Sequence, residues 1–268
     1  MKNKRKLIFA TMSMTIIFII VIVLLIAGLI KTIANNNKPY YMKKSRVENV
    51  SEYAKANPNF TTLGWIRVQG TNIDYPVIYG NGLDFNELLD DFTWTEDEEK
   101  KLTNRVFILG HNIRNVSSNP LITDKNQSRF EQLPSFTYLE FAEKNKYIQY
   151  TIDGKDYLYK IFSVSIVNDN ELDHSTRDFS KTELKEYIDQ SLKDSFYDFD
   201  ISVDENDNII TLITCTRFYG RVNHYSFKID ARMVRDKEKI KNYSVKENSN
   251  YKKIEETMRA GEESAKAI

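Results

Sequence analysis

Cys215 is the only cysteine of the chain, and it is the residue with the clearest potential for chemistry. A lone thiol cannot form a disulfide within its own fold, so it is either a small buried hydrophobe or a nucleophile. It ends residues 209–215, an apolar and β-branched run that predicts a buried strand. The segment that follows is polar, is broken by a glycine and contains Arg217 and Arg221. The sequence therefore predicts a thiol where a strand opens into a loop, with cations nearby that favour the thiolate.

A cysteine nucleophile needs a basic or cationic partner and a proton donor for the leaving group. The chain offers three histidines. His111 follows a predicted strand, residues 105–109, and so has the same strand-to-loop setting as Cys215. His224 lies near the start of the final predicted strand and is the alternative partner. His174 lies in a polar loop and is given no role, so the sequence favours His111.

The elements that must position these residues are mainly short strands. One helix is clearly indicated, because residues 180–183 form a capping box and the apolar residues that follow fall on one face. Asp153-Gly154 predicts a hairpin between two strands. Many short strands without βαβ alternation predict a β-barrel or sandwich with helical insertions. The predicted strands are residues 63–68, 73–79, 105–109, 147–152, 157–167, 209–215 and 225–234.

The amino-terminal region predicts a membrane anchor. Residues 7–30 are uninterrupted apolar and small residues, long enough to cross a bilayer as a helix. Basic residues within 1–6 precede them, so the positive-inside rule leaves the amino terminus in the cytoplasm and the rest outside the cell membrane. The alternative is a cleaved signal peptide, whose apolar core is shorter, about 7 to 15 residues.

The remaining composition defines the domain limits and excludes one class of partner. Residues 31–58 predict a juxtamembrane stalk with a helix over 45–56, and residues 59–234 predict one folded domain. Residues 235–268 carry 16 charged side chains of both signs among 34, which predicts a solvated helical or disordered tail. The balance of 38 basic and 38 acidic residues argues against a nucleic-acid-binding protein. An extracellular domain without disulfides is typical of a bacterial surface protein.

Three blocks of the sequence carry a family resemblance. Residues 211–215, Thr-Leu-Ile-Thr-Cys, resemble the TLxTC signature of sortases, the membrane-anchored transpeptidases of Gram-positive bacteria. Residues 109–112 resemble the Gly-His-Asn block of that family, and residues 64–77 resemble the opening strands of its class B. The helix predicted from Lys181 to Leu192 also resembles the class B insertion. The resemblance spans about residues 63–234 and implies a sortase-like closed β-barrel with a helical insertion before the cysteine strand.

Two departures from the family pattern stand out. Residues 84–101 are acidic and do not resemble the usual class B segment, and they predict a loop with a helical turn. The family also has an arginine early in the final strand that faces the cysteine, and Ser226 aligns with it here. Arg217 and Arg221 are the nearest substitutes, and we predict that Arg217 serves. Arg232 lies on the order of 20 Å further along the strand, too far to reach the thiol.

The resemblance implies a mechanism without a cofactor or metal. Cys215 attacks the carbonyl of a threonine in a sorting motif near the carboxyl end of a secreted protein. His111 protonates the departing amine, which leaves a thioacyl enzyme. Arg217 and backbone N–H groups hold the substrate and the developing oxyanion. An amine of a cell-wall precursor or a pilin lysine then resolves the thioester.

Two alternatives remain open from the sequence. The same residues could serve a membrane-anchored cysteine peptidase that uses water as the acceptor. The serine at the arginine position is also compatible with a sortase relative that binds without catalysis. The reaction product distinguishes the transpeptidase from the peptidase. The reactivity of the Cys215 thiol distinguishes both enzymes from a relative that only binds.

Overall fold

The structure is a computed structural model that describes residues 15–30, 45–81, 83, 93–112, 129–216, 225–240 and 242–252. Its helices are α1 (15–30), α2 (Val47–Ala56), α3 (Leu139–Lys144) and α4 (Lys181–Asp194), with 3₁₀ turns at Leu133–Thr137 and Asp169–Glu171. Its strands are β1 (Thr62–Val68), β2 (Asp74–Tyr79), β3 (Thr93–Thr95), β4 (Arg105–Leu109), β5 (Tyr147–Ile152), β6 (Lys155–Asn168), β7 (Tyr197–Phe199), β8 (Ile209–Cys215), β9 (Tyr225–Met233) and β10 (Val245–Glu247).

Eight of these strands form a closed barrel in the order β1-β2-β3-β4-β8-β9-β6-β5. The pairings β2–β3 and β4–β8 are parallel, and the other neighbours are antiparallel. A closed barrel leaves no strand edge exposed to other chains. The prediction of a mainly-β barrel with short helices and a helical insertion before the cysteine strand is confirmed, since α4 lies between β6 and β8 in the chain.

The helix α1 belongs to a compact unit separate from the barrel. Its apolar side chains are exposed. Among the residues that the structure describes, no helix is long and apolar enough to cross a membrane. The predicted anchor also includes residues 7–14, which lie outside the described residues.

Two local predictions are confirmed in detail. The β5–β6 hairpin turns at Asp153 and Gly154, which both have positive φ angles (51° and 68°). Glycine adopts such angles at no steric cost, and aspartate tolerates them. At the start of α4, Ser180 accepts from the Glu183 N–H and the Glu183 side chain accepts from the Ser180 N–H. This reciprocal cap fixes the first turn of the helix.

The alternation of side chains along β8 and β9 separates the barrel core from the functional face. Ile210 and Leu212 of β8 point into the core, as do Phe227 and Ile229 of β9. Because successive side chains of a strand face opposite sides, Cys215 points to the outer face of the barrel. The core therefore fixes which way the thiol faces.

The helix α4 covers part of that outer face. Leu184 and Ile188 pack against Ile209 and Phe162. Beside this apolar contact, the Tyr187 hydroxyl donates to Asp230 Oδ1 at 2.6 Å. These contacts fix α4 against the strands that carry the candidate site.

Three sequence predictions need correction. The acidic segment predicted as a loop contains strand β3, and its residues 84–92 lie outside the described residues. The helix α2 of the predicted stalk packs on the barrel, since Arg46 forms an ion pair with Asp74 at 2.5 Å.

Residues just after 234 are not a solvated tail, because β10 pairs with β7 and Tyr243 is buried. The tail prediction failed because its few apolar residues are the ones that pack. Residues 253–268 lie outside the described residues.

Candidate active site

Cys215 is the last residue of β8 and is exposed. Its two neighbouring strands define its surroundings. On one side it pairs with Ser226 of β9, and side chains of directly paired residues lie on the same face, about 4.5–5.5 Å apart at Cβ. On the other side, β4 runs parallel to β8 with Leu109 beside Ile213. His111 and Cys215 each lie two residues beyond this last registered pair.

Several contacts hold the histidine segment against the cysteine strand. The Gly110 N–H donates to the Ile213 carbonyl at 3.2 Å, and the Thr214 hydroxyl donates to the Gly110 carbonyl at 2.7 Å. The Asn112 side chain donates to the Cys215 carbonyl at 3.1 Å. A glycine is required at 110, since a Cβ there would lie 2.5 Å from the Phe130 ring. The Gly-His-Asn block therefore joins the ends of β4 and β8.

The His111 ring rests against Trp94 of β3, with ring centroids 4.8 Å apart. Burial, followed by the positive charge of Arg129, holds the pKa of His111 below its usual value. Arg129 lies near His111 because the N–H of the next residue, Phe130, donates to the His111 carbonyl at 3.1 Å. His111 is therefore a neutral imidazole at neutral pH, suited to accept a proton.

The described surroundings of Cys215 disfavour the thiolate, whereas the sequence predicted a setting that favours it. Although the residue is exposed, the protein groups packed around its sulfur, followed by the carboxylate of Asp169, raise the pKa of the thiol. The cations predicted to favour the thiolate, Arg217 and Arg221, lie outside the described residues. The raised pKa of Cys215 and the lowered pKa of His111 both favour the neutral forms of the two groups, so a mechanism that uses the thiolate needs a base to take the thiol proton.

Ser226, which the sequence analysis aligned with the arginine of the family, takes part in a polar chain. Its hydroxyl donates to Asp169 Oδ1 at 3.0 Å. The same oxygen lies 3.6 Å from His174 Nε2, and His174 Nδ1 lies 3.7 Å from Glu96. The His174 ring also stacks on Phe107 of β4 at 4.9 Å. The structure therefore places His174, which had no role in the sequence analysis, in a network that reaches the residue opposite Cys215.

Charge pairing keeps this network ionised. The Asp169 carboxylate, followed in effect by Glu96, raises the pKa of His174. Reciprocally, the interaction with His174 is the main cause that lowers the pKa of Asp169. Asp169 is therefore a carboxylate at neutral pH, and His174 carries more positive charge than a free histidine.

The remaining predicted site residues fall into two groups. Arg217, Arg221 and the alternative histidine His224 lie outside the described residues, so their roles stay predictions. Arg232 pairs with Ile209, at the opposite end of β8 from Cys215, and its guanidinium binds Glu238 at 2.6 Å. Its position agrees with the prediction that it cannot reach the thiol.

The sequence analysis missed three residues of the site, Trp94, Arg129 and Asp169. The aromatic and β-branched composition of Thr93–Thr95 is a strand signal that the acidic surroundings concealed. For Arg129 and Asp169 no local signal exists, because only the folded barrel brings them to His111 and Cys215.

A cleft of about 590 Å³ lies between the end of β6 and α4, beside Asp169. Two cations line it, Arg177 and Lys228, against five carboxylates, which belong to Glu171, Asp173, Glu183, Glu186 and Asp194. This part of the surface is therefore negatively charged. Among the described residues, no group of three or more His, Cys, Asp or Glu side chains could hold a metal ion.

The chain is similar to known proteins over the whole barrel. Residues 66–234, more than half of the chain, match the sortase domain family. Sortase B of Staphylococcus aureus is 25% identical over 178 residues, which cover 60% of this chain and 66% of that protein, slightly under two thirds. Sortase B of Listeria monocytogenes is 24% identical over 206 residues, covering 69% of this chain and 77% of that protein.

The fold comparison agrees with these matches. The X-ray structure of Clostridium perfringens sortase B superposes with a TM-score of 0.53 at 27% sequence identity, covering 70% of this chain and 99% of that chain. The resemblance to sortases, with class B relatives among the similar proteins, is confirmed. The chain belongs to the sortase family, whose members are cysteine transpeptidases.

Proposed function

We propose that this chain is a membrane-anchored transpeptidase that joins secreted proteins to an amine of the cell wall or of a pilin. The observation that carries the proposal is the position of Cys215 and His111 at the adjacent ends of two parallel strands, joined through Gly110 and Asn112. A nucleophile and a base at one strand-to-loop edge are the parts that acyl transfer requires.

The first half-reaction forms a thioester. His111 takes the proton of the Cys215 thiol, and the sulfur attacks the threonine carbonyl of the sorting motif. The carbon–nitrogen bond breaks, and the imidazolium of His111 gives its proton to the departing amine. The thioacyl enzyme retains the amino-terminal part of the secreted protein.

The second half-reaction transfers that acyl group. The acceptor amine attacks the thioester carbonyl, the carbon–sulfur bond breaks, and the proton lost by the amine returns through His111 to the sulfur. Arg217 supports the oxyanion of both steps in this proposal, because Ser226 has no positive charge to offer.

The membrane anchor of the proposal rests on the apolar sequence of residues 7–30. Tethering would hold the enzyme beside membrane-bound substrates and raise their effective concentration. Extraction of cell membranes at alkaline pH tests it. The anchor predicts that the full chain stays in the membrane pellet, whereas release into the supernatant contradicts an integral anchor.

The activity is tested with the chain from residue 45 onward and a library of sorting peptides. A transpeptidase is expected to give a thioacyl adduct on Cys215 that an added amine converts to a new peptide bond. A peptidase would release only the hydrolysed peptide with or without amine. A chain that binds the peptide without forming an adduct would show a relative that has lost catalysis.

A further inference from the structure

The structure places a carboxylate beside the residue that pairs with Cys215. Ser226, which the sequence aligns with the arginine of the family, pairs directly with Cys215. Its hydroxyl binds Asp169 Oδ1 at 3.0 Å, so the side chain of Asp169 stands beside the residue opposite the thiol. Among the described side chains at this point, the local charge is therefore negative.

Among the described residues, only one oxygen of the Asp169 carboxylate has side-chain partners. Both of its side-chain contacts to described residues, from Ser226 and His174, use Oδ1. Its side chain is 41% exposed, so Oδ2 can accept a hydrogen bond from a bound molecule. Since His174 and Ser226 fix Oδ1, the orientation of this acceptor is set before any substrate arrives.

The chemistry of such an acceptor selects a cation. A carboxylate held by the hydrogen bond from Ser226 and the nearby charge of His174 binds an ammonium or guanidinium group through a short, charge-assisted hydrogen bond. The neighbouring cleft adds more negative than positive side chains, which raises the local concentration of cations. Neutral donors gain less from these features than cations do, and anionic groups are repelled.

Building on the proposed transpeptidase function, we propose that Asp169 binds a positively charged nitrogen of the substrate beside Cys215. That nitrogen can belong to the acceptor amine or to a basic side chain of the sorting signal. The two sources share one chemistry, and separate measurements distinguish them.

The acceptor is tested by competition for one thioester. The thioacyl enzyme is offered triglycine, whose amine binds as an ammonium ion at neutral pH and gives one proton to the solvent before it attacks, or hydroxylamine, which is uncharged. Because both attack the same thioester, a change in the reactivity of Cys215 cancels in the ratio of their products. Asp169→Asn is expected to lower the triglycine-to-hydroxylamine ratio by about tenfold, the loss of one charge-assisted hydrogen bond.

The sorting signal is tested by single-turnover acylation without an acceptor. Peptides that carry lysine or its neutral isostere norleucine beside the scissile residue are compared in the wild type and in Asp169→Asn. If the sorting signal supplies the cation, the wild type prefers lysine by about tenfold and the variant loses that preference. An unchanged preference with a changed acceptor ratio assigns Asp169 to the acceptor.

Two further variants guard against misfolding and non-specific charge effects. Glu171→Gln removes the same charge from the same 3₁₀ turn without touching Ser226 or His174, and it is expected to change either ratio less than about twofold. Ser226→Arg keeps Asp169 but supplies a guanidinium that pairs with it, so this variant is expected to lose the cation preference as Asp169→Asn does.

The inference is overturned if Asp169→Asn and Ser226→Arg both keep the wild-type ratios in both measurements. It is also overturned if Glu171→Gln changes them as much as Asp169→Asn, because the effect would then be one of general charge. Absence of any thioacyl adduct in the wild type would contradict the proposed function instead, so the two failures are distinguishable.

Discussion

The two ends of the β8–β9 pair enclose their polar groups very differently. At the Thr211 end, Asp230 is fully buried and accepts from the hydroxyls of Thr211 and Tyr187 at 2.8 and 2.6 Å. Lys228 Nζ, also buried, lies 3.1 Å from its other oxygen. At the Cys215 end, the thiol is exposed and the Asp169 side chain is 41% exposed.

This difference shows how one pair of strands can serve two purposes. The buried charges are compensated by protein groups, so they hold α4 against the sheet. The open end keeps a nucleophile and a carboxylate within reach of a substrate. The predictions below disturb one end at a time.

The largest effect is expected from removal of the thiol. Cys215→Ala should lower turnover by about 10⁴-fold or more, because no other group on this face can form the thioester. The free energy of unfolding should change little, since only a small exposed group is lost. Peptide turnover and urea unfolding measure the two quantities. Turnover above background in this variant would contradict the mechanism, and a similar loss in His111→Ala would support the choice of histidine.

At the enclosed end, Asp230→Ala should lower the free energy of unfolding by about 3–5 kcal/mol, because it leaves Lys228 buried without its counter-ion. Urea unfolding checks this value. Asp189→Ala is the matched control, since it breaks an exposed ion pair with Lys185 within helix α4. Its free energy of unfolding is expected to change little. A double variant, Asp230→Leu with Lys228→Met, should recover most of the loss. Equal effects of Asp230→Ala and Asp189→Ala would remove the distinction between the two ends.

The oxyanion support at the open end is the next test. Arg217→Ala should lower the acylation rate by about 10²-fold, the usual cost of losing one oxyanion donor. Lysine at the same position should restore activity only in part, because it lacks the planar fork of arginine. Stopped-flow acylation with Arg221→Ala as the control decides between the two arginines. Equal and mild effects would mean that neither replaces the arginine of the family.

The sequence alone predicts the elements whose signals are local. The strand that ends at Cys215, the hairpin at Asp153 and the cap of α4 at Ser180 follow from side-chain type and spacing. What it misses depends on contacts between distant segments. The strand β10 exists only because Tyr197–Phe199 offers a partner for Val245–Glu247.

The site shows the same limit. Cys215 and His111 stand at strand ends that composition reveals, so their proximity could be expected. Asp169 reaches Ser226 only because β6 runs beside β9 in the barrel. The sequence predicted a cationic setting for the thiol from neighbours along the chain, whereas the described neighbour in space is an anion.

A pH test probes the segment that the sequence misread as a solvated tail. Hydrogen bonding from Arg232, followed by that from Lys160, lowers the pKa of Glu238 to about 2. A depressed carboxyl pKa stabilises the fold above the unfolded pKa, and this contribution is lost as the pH falls through the folded value. Glu238→Gln should therefore be less stable than the wild type by about 1–3 kcal/mol above about pH 5, and the difference should vanish near pH 2. A difference independent of pH in urea unfolding would contradict the assignment.

The smallest effect is expected at Arg129. Its positive charge contributes to the lowered pKa of His111, so Arg129→Ala should raise that pKa. The acid limb of kcat/KM should move to higher pH by the same amount, because more of His111 is then protonated at a given pH. The alkaline limb, set by the raised pKa of Cys215, should not move. A shift of the alkaline limb alone would place Arg129 beside the thiol instead.

The most direct test of the account is the intact mass of the chain after brief mixing with a peptide that carries the sorting signal. The account predicts a mass increase equal to the amino-terminal fragment of the peptide, located on the fragment that contains Cys215, and no increase in Cys215→Ala. An unmodified chain under conditions in which the peptide is cleaved, or an adduct that persists in Cys215→Ala, would contradict it.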